Sequence, residues 1–451
     1  MTEKNVFKKR RLKLLRKISK GKGKKIAVVS NATVSRRNGR DLDYPFREDS
    51  NFWYLTGFSE PGAVLVLVAD ENPRSILFCT ETIDFEKAAF DGDVCGTAGA
   101  KERYGFDEAY DIASIDEKIK EFFTNSDILY YFVGEKIELD TRVLRWVAET
   151  KQTAFRRSGP PITSIYDLGT IVSEMRLRKG QEEIADLIKA VRYTGGGIIQ
   201  AMHACKPGMK EYQLDAKILE WFRSCGCSEL PAFSSIVAGG ANATTLHYVA
   251  NNGVLRDGDL VQLDVGAEFN RYSGDISRAI PVNGKFSDAQ KAVYSIVLAA
   301  QKAAIKEVVP GKNILDAHWA AVQIIVEGLV KLGILHGDVD QLIADGKDPE
   351  KKPEETYKRF FMHRTGHWLG LDTHDVGNYF EADGSLRKLE KGMVLTVEPG
   401  IYIKPAPDVP EEYWNIGIRI EDDVLVEEGE PFVLSRDVPK EIEEIEEVMS
   451  F

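Results

Sequence analysis

The stretch VQLDVGAEFNRYSGDIS, Val261 to Ser277, decides how the second half of the chain must fold. It carries two aspartates, Asp264 and Asp275, eleven positions apart. On one helix they would stand about 16 Å apart at 1.5 Å rise per residue, too far to share an ion. On a hairpin folded between Phe269 and Asn270 they would face each other, with Cβ atoms about 5 Å apart. Two like charges so placed repel unless something positive sits between them. The plainer alternative is a solvated hairpin with two surface aspartates. Asp264 closes an apolar run, which argues for burial, but the hairpin alone leaves both readings open.

Further carboxylates lie on strand-like segments downstream. Glu398 ends VLTVE and is followed by the turn Pro399-Gly400. In IGIRIED the period of two turns Ile416, Ile418 and Ile420 one way and Gly417, Arg419 and Glu421 the other. An Arg419–Glu421 ion pair would account for that face by itself. HRTGHWLGLDTHD, His363 to Asp375, then gathers three of the seven histidines. His363 and His367 share the i, i+4 spacing of the zinc motif H-E-x-x-H. Arg364 stands where that motif needs its general-base glutamate, and Gly366 disfavours the helix, so the zincin reading fails. With His247 in LHY, the candidate set is rich in oxygen and has a little imidazole. Such a set suits Mn²⁺, Fe²⁺, Co²⁺ or Zn²⁺ rather than a thiolate zinc site. Two ions about 3.5–4 Å apart would explain why so many carboxylates converge.

Around this constellation the order of elements is regular. The first third alternates strands (KIAVVSNA, GAVLVLVAD, SILFCT, ILYYFVG) with helices (DEKIKEFF and the stretch around TRVLRWVAETK), as in an α/β domain. A break falls at SEMRLRKGQEE, which sets the expected domains at 1–176 and 177–451. Beyond it come a helix pair, strands, a second helix pair and strands again. That order predicts an α+β domain of two similar α-α-β halves around one antiparallel sheet. The acidic tail KEIEEIEEV reads as a solvated helix, and KDPEKKPEETYKR, 347–359, as a charged, proline-interrupted loop.

Composition narrows the function classes. A chain of 451 residues has room for two or three domains, and its net charge of −12 argues against general nucleic-acid affinity. The basic segment Lys8 to Lys25 reads as an amphipathic helix with Leu12, Leu15 and Ile18 turned inward. No apolar h-region follows its charges, and no apolar run is long enough to span a bilayer, so neither secretion nor a membrane is expected. The five cysteines, Cys79, Cys95, Cys205, Cys225 and Cys227, match no zinc ribbon and are expected as reduced thiols in the cytoplasm.

The ordered set Asp264, Asp275, His367, Glu398, Glu421 resembles the metal ligands of the pita-bread metallopeptidases. REDSNFWYLTGFSEPGAVLVL, SEMRLRKGQEEI and HWLGLDTHDVG resemble the Xaa-Pro aminopeptidase (aminopeptidase P) branch of that family, over most of the chain. The resemblance implies a curved, pseudo-symmetric pita-bread domain behind the α/β domain. It implies two divalent ions, Mn²⁺ first among Mn²⁺, Zn²⁺, Co²⁺ and Fe²⁺. Asp264 would chelate one ion, Asp275 and Glu421 bridge both, and His367 and Glu398 complete the other. A metal-bridging hydroxide would attack the scissile carbonyl, with Glu398 moving the proton to the leaving nitrogen. His247 and His374 would steady the tetrahedral intermediate, and His363 and Arg419 would line the proline pocket. The implied substrates are peptides with proline second, and the implied assembly is a homo-oligomer, dimer or tetramer. Prolidase, which cleaves Xaa-Pro dipeptides, is the nearest alternative; a metal-free binding protein on the same fold is the alternative from another class. The chain departs from the family pattern at Arg364 and Thr365, at Phe233 where many relatives carry tyrosine, and in the longer charged loop.

Overall fold

The computed structural model describes residues 3–157 and 161–450. It falls into two compact units, residues 1–175 and 176–451.

The first unit is built on a six-stranded sheet. Its strands run in the order Glu108–Asp111, Arg74–Cys79, Val64–Ala69, Lys24–Ser30, Ser126–Tyr131, Ser164–Asp167. The strand VLVLVA is buried along its whole length, as a continuous apolar run predicts for a strand covered on both faces. Helices Ile115–Phe123 and Ile137–Arg157 supply Ile119, Phe123 and Trp146 to a core that includes Ile26, Val66 and Leu129. The basic segment forms a helix, Glu3–Ile18, over its first part, with Leu15 and Ile18 inward as expected but turned so that Leu12 is not. Leu12 is 39% exposed, and Leu14 joins Leu15 and Ile18 in the core. Two arginines set that rotation. Buried Arg10 and Arg11 donate to the carbonyls of Tyr54 at 3.2 Å and Leu55 at 3.0 Å, at the end of helix Ser50–Thr56.

The second unit follows the anticipated order. Helices Gln181–Ala204 and Glu211–Ser224 lead to strands Ile236–Gly239, Leu260–Val265 and Ile276–Pro281. Helices Asp288–Lys306 and Ile314–Lys331 lead to strands Val394–Val397, Gly400–Ile403, Ile416–Arg419 and Asp422–Leu425. Local chemistry starts the second helix pair: Ser287 accepts from Gln290 N, and Asn313 accepts from Leu315 N. The acidic tail helix Ile442–Val448 is not wholly solvated, because Ile445 is completely buried.

Two details differ from the expected sheet, and both shape the site. The runs MVLTVEPGIYI and IGIRIEDDVLV are each broken in two. Glu398-Pro399 and Ile420-Glu421 lie in the breaks, so the chain leaves one strand pair and enters another at the two glutamates. The hairpin register also differs. Asp264 pairs with Ser277, and Phe269 with Tyr272, so the turn is Asn270-Arg271 and not Phe269-Asn270. Both turn residues have positive φ, 48° and 67°, the two-residue geometry that matches the strand twist. Asp275 is therefore a diagonal neighbour of Asp264 on the same face, two places before its direct partner Ser277.

Candidate metal centre

Strand Leu260–Val265 presents Asp264, and Asp275 stands immediately before strand Ile276–Pro281. Glu398 and Glu421 come from the two strand breaks, and His367 from the loop before strand Val394–Val397. That loop is pinned to the strand: Thr396 N donates to His367 O and Glu398 N to Thr365 O, each at 2.9 Å. Gly366 permits the approach, since a Cβ there would come within 2.0 Å of the Thr396 carbonyl oxygen.

One ligand atom from each of Asp275, His367 and Glu421 lies within 4.8 Å of the others. His367 Nε2 is 3.5 Å from Asp275 Oδ2 and 3.7 Å from Glu398 Oε1. Burial first, then the charges of Asp264 and other carboxylates, drive Asp275 well above the ordinary carboxylate range. Burial and then Asp275 and Glu398 do the same to Glu421. Glu398 is also pushed up, chiefly by burial, against the pull of His367 and Arg419. Three carboxyls thus crowd one place at mutual cost, with Asp264 beside them.

The histidines fall into distinct roles by their hydrogen bonds. His367 Nδ1 lies 3.0 Å from the Trp368 carbonyl, which keeps the proton on Nδ1 and leaves the Nε2 lone pair toward the carboxylates. His363 Nδ1 likewise donates to Arg364 O at 2.8 Å, but its Nε2 accepts from the Tyr402 hydroxyl at 2.8 Å. No lone pair is left for an ion, so His363 is not a ligand. Burial, and then Arg419, lowers the His363 pKa to about 3 and keeps the ring neutral. The His374 ring centroid lies 4.3 Å from that of His367. His247 is exposed, on the segment between strands Ile236–Gly239 and Leu260–Val265.

Arg419 is buried and fully engaged. It donates to Ser277 Oγ at 3.0 Å, the Tyr402 hydroxyl at 2.9 Å and Asp264 Oδ2 at 2.6 Å. It pairs with Asp264, not with Glu421 as the strand pattern suggested. Behind the cluster, Asp423 Oδ2 accepts from Asp275 N at 3.0 Å. Asp375, next to His374, is held between Arg176 at 2.6 Å and Lys179 at 3.0 Å, with all three buried.

Tyr402, Ser277, Thr396 and Asp423 support the site and were not singled out from the sequence. Each sits on or beside a strand buried on both faces, where alternation carries no signal of which way a side chain points.

The donor set fits divalent cations. It is oxygen-rich with one imidazole nitrogen, its carboxyls crowd one another, and Asp264 Oδ1 is buried without a hydrogen-bond partner. A buried carboxylate–histidine cluster at the strand breaks of a doubled α-α-β domain is the site of a metal-dependent hydrolase. The chain belongs to metallopeptidase family M24, which matches residues 185–428, and residues 7–130 match the aminopeptidase P N-terminal domain. It is 42% identical to the Xaa-Pro aminopeptidase of Haemophilus influenzae over 94% of this chain and 93% of that one. Among solved structures it resembles aminopeptidase PepP of Pseudomonas aeruginosa, with TM-score 0.93 and 40% identity over 100% of this chain and 98% of that one. It is also similar to aminopeptidase P from Escherichia coli with the inhibitor Pro-Leu, with TM-score 0.92 and 39% identity over 100% and 98% of the two chains.

Proposed function

We propose that this chain is an aminopeptidase that releases the first residue of peptides with proline second, using two divalent ions, Mn²⁺ by preference. The observation that carries the reading is the Asp275–His367–Glu421 cluster flanked by Asp264 and Glu398, in a chain so similar to Xaa-Pro aminopeptidases. We assign Asp264 as a ligand of one ion, Asp275 and Glu421 as ligands shared by both, and His367 and Glu398 as ligands of the other. When bound, the ions would make a water acidic and polarise the scissile carbonyl.

The protein's own groups do the rest. The leaving nitrogen of an Xaa-Pro bond is a tertiary amide without N–H, and it departs only after gaining a proton. Glu398, 3.7 Å from His367 at the strand break, takes a proton from the attacking water and returns it to that nitrogen. His247 and His374 donate to the carbonyl oxygen as its charge develops. His363 shapes the proline pocket, and Arg419 supports it through Tyr402 and Asp264. We read residues 1–176 as the N-terminal domain and 177–451 as the catalytic domain. The five free cysteines fit a reducing compartment, and we place the enzyme in the cytoplasm as a homo-oligomer.

The test is a Mn²⁺-supported hydrolysis time course on Ala-Pro and Ala-Pro-Ala-Ala-Ala, read by mass. Release of alanine from the pentapeptide is the expected result. Cleavage of the dipeptide alone would make the enzyme a prolidase, and no cleavage of either would overturn the reading.

A further inference from the structure

Helix Glu211–Ser224 opens on a glutamate that is completely buried. Both of its carboxylate oxygens are taken up by one short segment of chain. Oε1 accepts from Gly239 N at 2.8 Å and Asn242 Nδ2 at 2.9 Å. Oε2 accepts from the Tyr248 hydroxyl at 2.9 Å and Gly253 N at 2.6 Å. The Glu211 backbone N–H donates in turn to Gly253 O at 3.1 Å. One residue thereby ties the start, middle and end of the loop 239–253. A carboxylate is rarely buried without a purpose, and hydrogen bonds to a charged acceptor are about twice as strong as neutral ones.

The loop carries His247, next to the anchored Tyr248. Its opposite side is packed on the strand that bears Arg419: a Cβ on Gly417 would come within 2.2 Å of the Ala243 carbonyl oxygen. The loop is therefore clamped between Glu211 and the floor of the site. His247 is exposed on that clamped loop.

We infer that Glu211 is a positioning residue for His247, holding the loop 239–253 so that the imidazole meets the reacting carbonyl. This rests on the role proposed above for His247. Glu211→Gln keeps the shape but turns an amide NH₂ toward two of the four donors, opposing hydrogens where the carboxylate accepted them.

The test is a double-mutant cycle on the Mn²⁺-loaded full chain, with Ala-Pro-Ala-Ala-Ala as substrate. E211Q is expected to lower kcat by about tenfold or more, the weight of one or two charge-assisted hydrogen bonds, with KM and bound manganese unchanged. His247→Ala is expected to lower kcat as well, and the double variant to match H247A alone, because both changes remove the same contact. An unchanged kcat in E211Q, or losses that multiply in the double variant, would overturn the inference. A wild-type kcat in H247A would instead remove the role of His247 itself, and the inference with it. If E211Q does not fold, as judged by its thermal transition, Tyr248→Phe removes a single donor and runs the same cycle. A loss absorbed by H247A supports the inference, and one that multiplies with it overturns it.

Discussion

Arg419 donates from Nη2 to Asp264 Oδ2 at 2.6 Å, while the other oxygen of that carboxylate is buried without a hydrogen-bond partner. One oxygen is neutralised and the other stays desolvated and ready for a cation. Removing the arginine should therefore have opposite effects on the protein without metal and with it. Arg419→Met is expected to destabilise the metal-free protein by about 3–5 kcal/mol, the usual cost of breaking a buried pair. It should also bind Mn²⁺ more tightly than wild type, because a positive charge has left the site. The rise in melting temperature on adding Mn²⁺ should be larger in the variant than in wild type. A smaller rise would mean that Arg419 does not act on the ions through Asp264.

Asp275 and His363 should separate cleanly. Asp275 lies within the cluster with His367 and Glu421, whereas both His363 nitrogens are engaged by Arg364 O and the Tyr402 hydroxyl. Asp275→Ala is expected to abolish turnover and the thermal stabilisation by Mn²⁺. His363→Ala should keep its metal content and lose activity by roughly tenfold to a hundredfold, the weight of one or two lost polar contacts. Elemental analysis of the two purified variants beside their kcat and KM decides it. Near-normal turnover in Asp275→Ala, or metal loss in His363→Ala, would reverse the assignments.

Gly366 offers a purely steric test of the same centre. An added methyl would meet the Thr396 carbonyl oxygen at 2.0 Å, a backbone atom that cannot swing aside. Gly366→Ala must therefore shift the loop that carries His367. Mn²⁺ affinity is expected to fall by about tenfold or more even though no ligand has changed. Calorimetric titration with Mn²⁺ reads this directly, and wild-type affinity would show that the loop can yield without moving His367.

The order of helices and strands was legible because each core-facing run keeps its period, as in EEIADLIKAVRYTGGGIIQAMHAC, which forms Gln181–Ala204. Which carboxylates share a place was legible only through the resemblance, since Asp264 and Asp275 lie on one hairpin and Glu398 and Glu421 at strand breaks far along the chain. The hairpin register was missed because Arg271 takes a positive φ that its residue type seldom adopts, moving the turn on by one residue. Leu12 was misplaced because periodicity counts apolar side chains, whereas buried Arg10 and Arg11 decide the helix face. The difference between His363 and His367 lies in what each Nε2 meets, Tyr402 or the carboxylates, and no spacing encodes that. Glu211 was invisible for a related reason: an acidic residue in the first turn of a helix reads as an ordinary helix start.

His318 gives the fold a pH dependence of defined sign. It lies on helix Ile314–Lys331, its Nδ1 2.9 Å from the Thr365 hydroxyl, with its ring against Trp319 and Phe361. Burial first, then Arg364 and Lys358, lowers its pKa from 6.5 to about 4. In the unfolded chain the ring takes up a proton near pH 6.5, and in the folded protein only near pH 4. Between those values the unfolded state binds more protons, so stability falls as the pH falls. The contribution is complete above pH 6.5 and is lost as the pH drops through about 4. His318→Asn retains a polar partner for Thr365 but cannot titrate. Its melting temperature should decline less steeply than that of wild type from pH 6.5 to pH 4, corresponding to a stability difference of about 3 kcal/mol at the acid end. Parallel curves for the two proteins would show that His318 is not the group that weakens the fold in acid.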